Sequence, residues 1–255
     1  MVGDRQERPK RVKGAATTAA PQRQNRINLF EMAYERIEDL IIRCELKPGR
    51  FLAIQDLQHI SGCSRTPVHQ AVSRLAADTI VTVHPRHGVQ IAPIDLARER
   101  VLLRLRRDLE RFVIRLATER SDATHRNHFL HLERLMRDRR ETMTIDEFNV
   151  FDRRLDRLIL AAAKEPFLQH TMRPLHTIFR RIGWIHHKHV EGPASLLKSI
   201  DCHLGILNPI ANCHVEQAVE ASDALIDFVD SMFEVMEREI DPSLLDCSLE
   251  PVATV

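Results

Sequence analysis

The sequence predicts a mainly α-helical protein in two parts. An N-terminal winged helix-turn-helix (three helices and a β-hairpin) is followed by an all-α antiparallel helical bundle. Residues 28–93 carry three short helical patterns and then two β-prone runs around a Pro-Arg-His-Gly turn. After Pro93 the apolar residues keep the 3.6-residue period of amphipathic helices, with no convincing strand. The chain has 255 residues, 44% of them hydrophobic and 29% charged, enough for two ordinary domains with their own cores.

Residues 1–26 lack an apolar period and carry seven basic side chains (Arg5, Arg8, Lys10, Arg11, Lys13, Arg23, Arg26) against two acidic ones (Asp4, Glu7). Such a segment cannot bury enough surface to offset its ordering, so 1–27 reads as a disordered basic tail. It would serve as a solubilising segment or as an arm with salt-dependent attraction to DNA phosphates.

In the first helix Phe30, Ala33, Ile37, Leu40, Ile41 and Cys44 keep helical spacing, and Lys47-Pro48-Gly49 stops it. A second helix covers Ile54 to Ile60 and ends at Ser61-Gly62. Ser64 reads as the N-cap of the third, its hydroxyl taking an orphan amide of the first turn. Pro67 falls in that turn, where its missing N–H does no harm. Val68, Ala71, Val72 and Leu75 form the buried stripe. Ile80–Val83 and Val89–Ile91 bracket His84-Pro85-Arg86-His87-Gly88 as a hairpin.

Pro93-Ile94-Asp95 reads as a linker, and 94–240 as an all-helical domain. One stripe runs through Leu102, Leu105, Leu109, Phe112, Val113 and Leu116, a second through Phe148, Phe151, Leu155, Leu158, Ile159 and Ala162. A third runs from Val215 to Met236. Helices of this kind pack as an antiparallel bundle. From Asp241 the pattern fades, leaving 241–255 as a C-terminal tail.

The formal net charge is +1, so no global field announces or excludes nucleic acid. Five scattered cysteines without C-x-x-C spacing fit reduced thiols, and no apolar run approaches the ~18 residues of a membrane span. The basic N-terminus lacks the apolar region of a secretory signal. A cytoplasmic protein without membrane contact is expected.

In a helix-turn-helix the second helix of the motif enters the major groove. Spacing exposes Arg65, Thr66, His69 and Gln70 there, with Ser73 and Arg74 one turn on, although Arg74 also reads as ordinary surface decoration. Arginine suits guanine O6 and N7, and Gln or His suits other base edges. Arg86 and His87 at the wing tip, with Gly88 allowing close backbone approach, would sit over phosphate or the minor groove.

These residues carry a resemblance. "YERIEDLIIRCELKPGRFLAIQDLQHISG" and "SRTPVHQAVSRLAADTIVTVHPRHGVQIAP" are similar to the DNA-binding domain of GntR-family transcription regulators. That family shows an S-R-T-P-V-R-E-A-L-type helix, L-x-P-G after the first helix and an R-x-G wing. The resemblance implies DNA contacts by Ser64, Arg65 and Thr66 and, from the wing, by His87 and Gly88. Gln55 stands at a second-helix position that is often arginine, and His69 and Gln70 stand where the family has arginine and glutamate. Histidine lacks arginine's fixed charge and bidentate fork, so a changed operator or weaker binding is expected.

The helical half resembles the FCD effector domain of the FadR subgroup, through Arg106-x-x-Leu109-Glu110, "FNVFDRRLDRLILAAAKEP" and "CHLGILNPIANCHVEQAVEA". In many such domains an aspartate and three histidines hold a divalent metal, which together with arginines binds a small carboxylate effector. The resemblance implies effector contacts by Arg106, Asp152 and His203. A metal would fall to Asp152, Asp156 and His203, with Zn, Mn or Ni-like ions suited to that donor set. Asp156 and Leu225 depart from two of the histidine positions.

Asp152 and Asp156 lie about 40° apart on one helix face. Two like charges there need a cation, so an arginine-neutralised carboxylate pair is the leading reading, with Arg106, Arg153 or Arg157 as the partner and a metal as the alternative. His186-His187-x-His189 reads as exposed or rim histidines, because adjacent helical histidines diverge by about 100°. Cys202-His203 and Cys213-His214 lie about 16 Å apart on a helix, too far for one ion. Trp184, with Arg180 and Arg181 nearby, lines a pocket or, more commonly, packs in a core. No Walker loop, G-x-S-x-G elbow or H-E-x-x-H occurs.

The expected function is a sequence-specific transcription regulator, a homodimeric repressor on a pseudo-palindromic double-stranded operator, modulated by a small organic-acid effector. One alternative makes the helical domain a dimerisation scaffold only. Another, a metal-dependent enzyme with an appended winged helix, lacks a visible complete first shell.

Overall fold

The computed structural model describes residues 28–249, and the basic tail expected over 1–27 lies outside them. The winged domain is built from α1 (Leu29–Ile42), β1 (Phe51–Leu52), α2 (Ile54–Ser61), α3 (Arg65–Ala77), β2 (Val81–His84) and β3 (Gly88–Ile91). The helical domain follows as α4 (Leu96–Arg120), α5 (Ala123–Arg139), α6 (Ile145–Ala163), α7 (Pro166–His189), α8 (Pro193–Ala211) and α9 (Val215–Glu239). None of these helices is long and apolar enough to cross a membrane.

Helix α1 ends earlier than its apolar spacing suggests. Cys44 has φ +53° and lies outside the helix, so its half-buried thiol packs from the turn. Helix α3 buries Val68, Ala71, Val72 and Leu75 as expected. Ser64 is its N-cap residue, but the hydroxyl makes no capping bond. The hairpin closes with Val83 opposite Val89 and His84 opposite Gly88.

The two-residue strand β1 is too short to show a period. It pairs with β3, Leu52 opposite Val89, completing an antiparallel sheet in the order β1-β3-β2. This pairing gives Gly88 a different reason from the one expected. At φ +99°, a Cβ there would lie 2.4 Å from the Leu52 carbonyl oxygen, so the approach of β1 by itself requires glycine.

Helices α4 and α9 run antiparallel and are laced by a ladder of ion pairs: Arg100–Asp230, Arg107–Asp227, Arg111–Asp223 and Arg115–Glu216. The face of α4 that enters the bundle is not the expected one. Leu103, Arg106, Glu110, Val113, Ile114 and Ala117 are buried, whereas Leu105 and Phe112 are 50% and 53% exposed. Two charged residues inside, paired with each other, turn the helix away from its simple apolar stripe. Helix α6 starts with a reciprocal cap, Thr144 Oγ1 accepting from the Glu147 amide at 3.2 Å and the Glu147 carboxylate from the Thr144 amide at 3.0 Å.

The segment after α9 docks rather than trails away. Residues Pro242–Leu244 and Cys247–Leu249 form 3₁₀ turns. The Cys247 amide donates to the Pro48 carbonyl at 2.9 Å, and the Ile94 amide donates to that of Leu245 at 2.9 Å. Helix α7 joins the domains from the other side: Arg173 grips Asp78 in a two-point bond at 3.0 and 3.1 Å, and Arg181 donates to the Ala92 carbonyl at 2.8 Å.

Candidate nucleic-acid interface and buried polar centre

The winged domain presents its expected readers on the surface. Ser64, Arg65, Thr66, His69, Gln70 and Ser73 of α3 are exposed, as are Gln55 at the start of α2 and Arg86 and His87 on the wing; Gly88 is half-buried. The apolar face of α3 is fixed in the core, so its polar face must point outward. Arg65 Nε donates to His69 Nε2 at 3.3 Å, which aligns the two side chains one turn apart. Arg86 takes φ +69° at the turn tip, and the His87 amide closes the turn on the His84 carbonyl at 3.0 Å. Arg74 instead folds back over α1. It donates to Glu31 at 2.9 and 3.0 Å, and its guanidinium stands 4.4 Å from the centre of the Tyr34 ring.

In the helical domain Arg106, Asp152, Asp156, His203 and Leu225 gather around one cavity of about 40 Å³. That is space for a water molecule, not for an organic acid. The cation between the two aspartates is Arg180 of α7, not Arg106, Arg153 or Arg157. Its side chain is 4% exposed, with Nε donating to Asp152 at 2.7 Å and Nη2 to Asp156 at 2.5 Å. Arg106 is engaged elsewhere, donating to Glu110 at 3.1 Å.

His203 Nδ1 faces the Ser199 carbonyl at 2.7 Å, and Nε2 faces Asp152 at 3.1 Å. Both partners accept, so both nitrogens donate. Burial pushes this imidazole's pKa down, but the Asp152 carboxylate overrides it and raises the value. Burial likewise pushes Asp152 up, yet Arg180 and His203 hold it far below the usual carboxylate range. Asp156, buried beside the Asp152 charge, is raised despite His176 and Arg180. The cluster continues through His176, whose ring nitrogens face Asp156 at 3.2 Å and Glu110 at 3.1 Å. Burial pushes Glu110 up, but His176 and Arg106 hold it down at about 2.

The expected metal set is therefore not assembled. A guanidinium stands between Asp152 and Asp156, both His203 nitrogens are spent as donors, and Leu225 offers no ligand. Among the described residues no three His, Cys, Asp or Glu side chains converge as ligands. The residues do not fit a divalent ion.

His186 and His187 correct the expectation of rim histidines, being 1% and 3% exposed. Both meet Ser195 Oγ, at 2.9 and 3.0 Å, and His187 also meets Ser199 Oγ at 2.9 Å. Burial lowers His187 to about 3, so it is neutral. Trp184 is a core residue.

Sequence reasoning missed Arg180 as the counter-ion, with His176, Glu110 and the buried Asn149, whose side-chain nitrogen has no hydrogen-bond partner. A signal was present: His176, Arg180, Gly183 and His187 follow one helical face of α7, interleaved with the apolar Leu175, Ile178, Phe179 and Ile182.

Known proteins match this architecture. Residues 29–91 match the family model for bacterial regulatory proteins of the gntR family, and residues 101–228 match the FCD domain. The HTH-type transcriptional repressor RspR of Escherichia coli K12 is 24% identical over 183 residues, spanning 71% of this chain and 78% of RspR. An HTH-type regulator in an unstable DNA locus of Streptomyces ambofaciens is 34% identical over 65 residues, 26% of this chain and 28% of that protein. Among solved structures, E. coli McbR/YncC superposes with a TM-score of 0.72 at 18% identity, over 83% of this chain and all of that one. A GntR regulator from Rhodococcus sp. RHA1 superposes with a TM-score of 0.61 at 16% identity, over 83% of this chain and 99% of its own.

Proposed function

As the chain belongs to the GntR family of bacterial regulatory proteins and carries an FCD domain, it is a DNA-binding transcription regulator and not an enzyme; we propose that it is a cytoplasmic, sequence-specific repressor that acts as a homodimer and answers to a small organic acid. The observation that carries the specific reading is the outward polar face of α3, where Arg65 and His69 are already aligned, beside a wing tipped by Arg86 and His87. Arg65 and Thr66, with His69, would meet base edges. Ser64, Gln55, Arg86 and His87 would hold the phosphate backbone and set the register.

Dimerisation is supported by α4. Val101, Leu105 and Phe112 are 62%, 50% and 53% exposed along one side of a helix whose other side is core. A second copy covering that strip would place two α3 helices on the half-sites of a two-fold operator. Repression follows the printed name of RspR and is carried over as part of this proposal. Effector sensing falls to the helical domain, whose α7 holds the winged domain directly through Asp78 and Ala92. A ligand can act only by favouring one arrangement of that junction over another. The roles of Asp152 and His203 are then indirect, in setting the position of α7 through Arg180, and Arg106 does so through Glu110 and His176.

Selection of bound fragments from the source genome by purified protein, repeated over a salt series, tests the reading. A recurring two-fold motif that survives moderate salt, with affinity falling steeply as salt rises, is expected. Binding without a motif would leave only non-specific attraction and end the proposal of sequence-specific repression.

A further inference from the structure

The bundle's own cavity is water-sized, but a cleft of about 670 Å³ opens between the two domains, in the size range of small-molecule sites. One wall is α1 of the winged domain and the other is the α6–α7 pair. The two walls are opposite in charge. Helix α1 contributes acids one turn apart, Glu31, Glu35 and Glu38, while α6 contributes the arginines Arg153 and Arg157. Across the gap Arg153 donates to Glu38 at 3.1 Å and Arg157 pairs with Glu35. Phe30 and Leu160, both half-buried and one from each domain, add apolar surface to the same cleft.

We propose that this cleft binds a small monocarboxylate with an aromatic or medium-chain apolar body, which takes the exposed Arg157 from Glu35 and leaves the more buried Arg153–Glu38 pair in place. The carboxylate replaces Glu35 as acceptor for the Arg157 guanidinium, while the apolar body lies against Phe30 and Leu160. No bond is made or broken beyond hydrogen bonds.

Such a ligand reports directly to DNA. Its binding severs the Arg157–Glu35 ion pair between α6 and α1, and α1 packs on the reading helix α3, partly through Arg74 and Glu31. The occupied and empty clefts therefore differ in the placement of the winged domain, which is the differential affinity that regulation requires. The buried centre underneath keeps its geometry. Arg180 and Asp156 form the floor of the cleft and the roof of the bundle cavity, so the closed cluster supplies a rigid base. The inference deepens the effector part of the proposed function by giving the acid a seat outside the bundle.

Octanoate and benzoate serve as probes, with binding read by calorimetry and thermal shift on the full chain. Operator binding is measured in parallel on the ligand-free protein. Saturable binding of at least one probe is expected, with a rise in melting temperature and weaker operator affinity. Arg157→Gln should weaken that probe roughly tenfold, the loss of one charge-assisted contact. Glu35→Gln should tighten it, because the competing acid is gone. A merely structural role for the pair would not produce opposite signs. Both side chains are largely exposed, 59% and 45%, so neither variant endangers folding. Leu225→Phe, which fills the bundle cavity, should leave probe binding unchanged.

Failure of both probes to bind, wild-type binding in both cleft variants, or loss of binding in Leu225→Phe alone would each overturn the inference. In those cases specific operator binding by the free protein would leave the regulator standing. Conversely, a cleft that binds octanoate in a protein with no specific operator would remove the proposed repressor and keep the site.

Discussion

The outer face of α3 and the centre of the helical domain both collect polar side chains, under opposite constraints. On α3 the polar groups are in water and few are spoken for: among the described residues Arg65 donates to His69, and Thr66 and Gln70 are exposed. In the bundle centre the clustered charges are desolvated and answered, Arg180 by two aspartates, His203 by Asp152 and a carbonyl, and Glu110 by Arg106 and His176. Free polar groups on a rigid helix can be offered to a partner at little cost. Buried ones that satisfy each other are committed to the fold, since removing one strands the rest. The same residue types are thus left open to a partner in one region and form a keystone in the other.

The sharpest way to break this comparison is Arg180→Met. It leaves Asp152 and Asp156 buried without their cation, and a loss of about 3–5 kcal/mol is expected in urea unfolding. A loss below 1 kcal/mol would mean that the cluster is not committed to the fold.

Next comes Glu99, 3% exposed near the domain junction. Burial pushes its carboxyl up to about 7 against the lowering charge of Arg181. Because the folded value is raised, the folded chain keeps a proton that the unfolded chain releases near pH 4.3. Stability from this group is present at low pH and lost as pH rises through about 7. Glu99→Gln should therefore stabilise the protein at pH 8, by up to about 3 kcal/mol, and change little at pH 4. Equal effects at both pH values in thermal unfolding would contradict the sign.

The smallest effects separate a cap that works from one that does not. Thr144→Ala, which breaks the reciprocal cap of α6, should cost about 1 kcal/mol. Ser64→Ala, whose hydroxyl caps nothing, should stay within about 0.5 kcal/mol in stability while weakening operator binding.

Much of the fold was legible because periodicity reports burial. Helix α3, the hairpin and the long helices α6 and α9 fall where their apolar spacing puts them. The misses have physical reasons. On α4 the paired Arg106 and Glu110 occupy the interior, so the apolar residues Leu105 and Phe112 mark the outer face instead. Strand β1 has two residues, too few for a period, and is held by its register with β3. The segment after Asp241 is fixed by backbone bonds to Pro48 and Ile94, which leave no apolar signature.

The exposure of the candidate DNA contacts was legible for a related reason: once the buried face of α3 is known, the exposed face is determined. The buried centre was half legible. Two aspartates one turn apart require a cation, but which arginine answers them depends on α7 packing across α6; the polar face of α7 marked Arg180 as inward without naming its partner. Family likeness pointed to a metal there, whereas the two aspartates are held by Arg180, and Leu225 offers no ligand.

Whether the open polar face of α3 reads bases is decided by Arg65→Ala. Its affinity should be compared for a selected operator and for random DNA at one fixed salt concentration. A loss of about 1–3 kcal/mol on the operator with little change on random DNA is expected, so that the ratio between them collapses. Equal losses on both would make Arg65 a phosphate anchor, and an unchanged operator affinity would contradict the assignment of α3 as the reading helix.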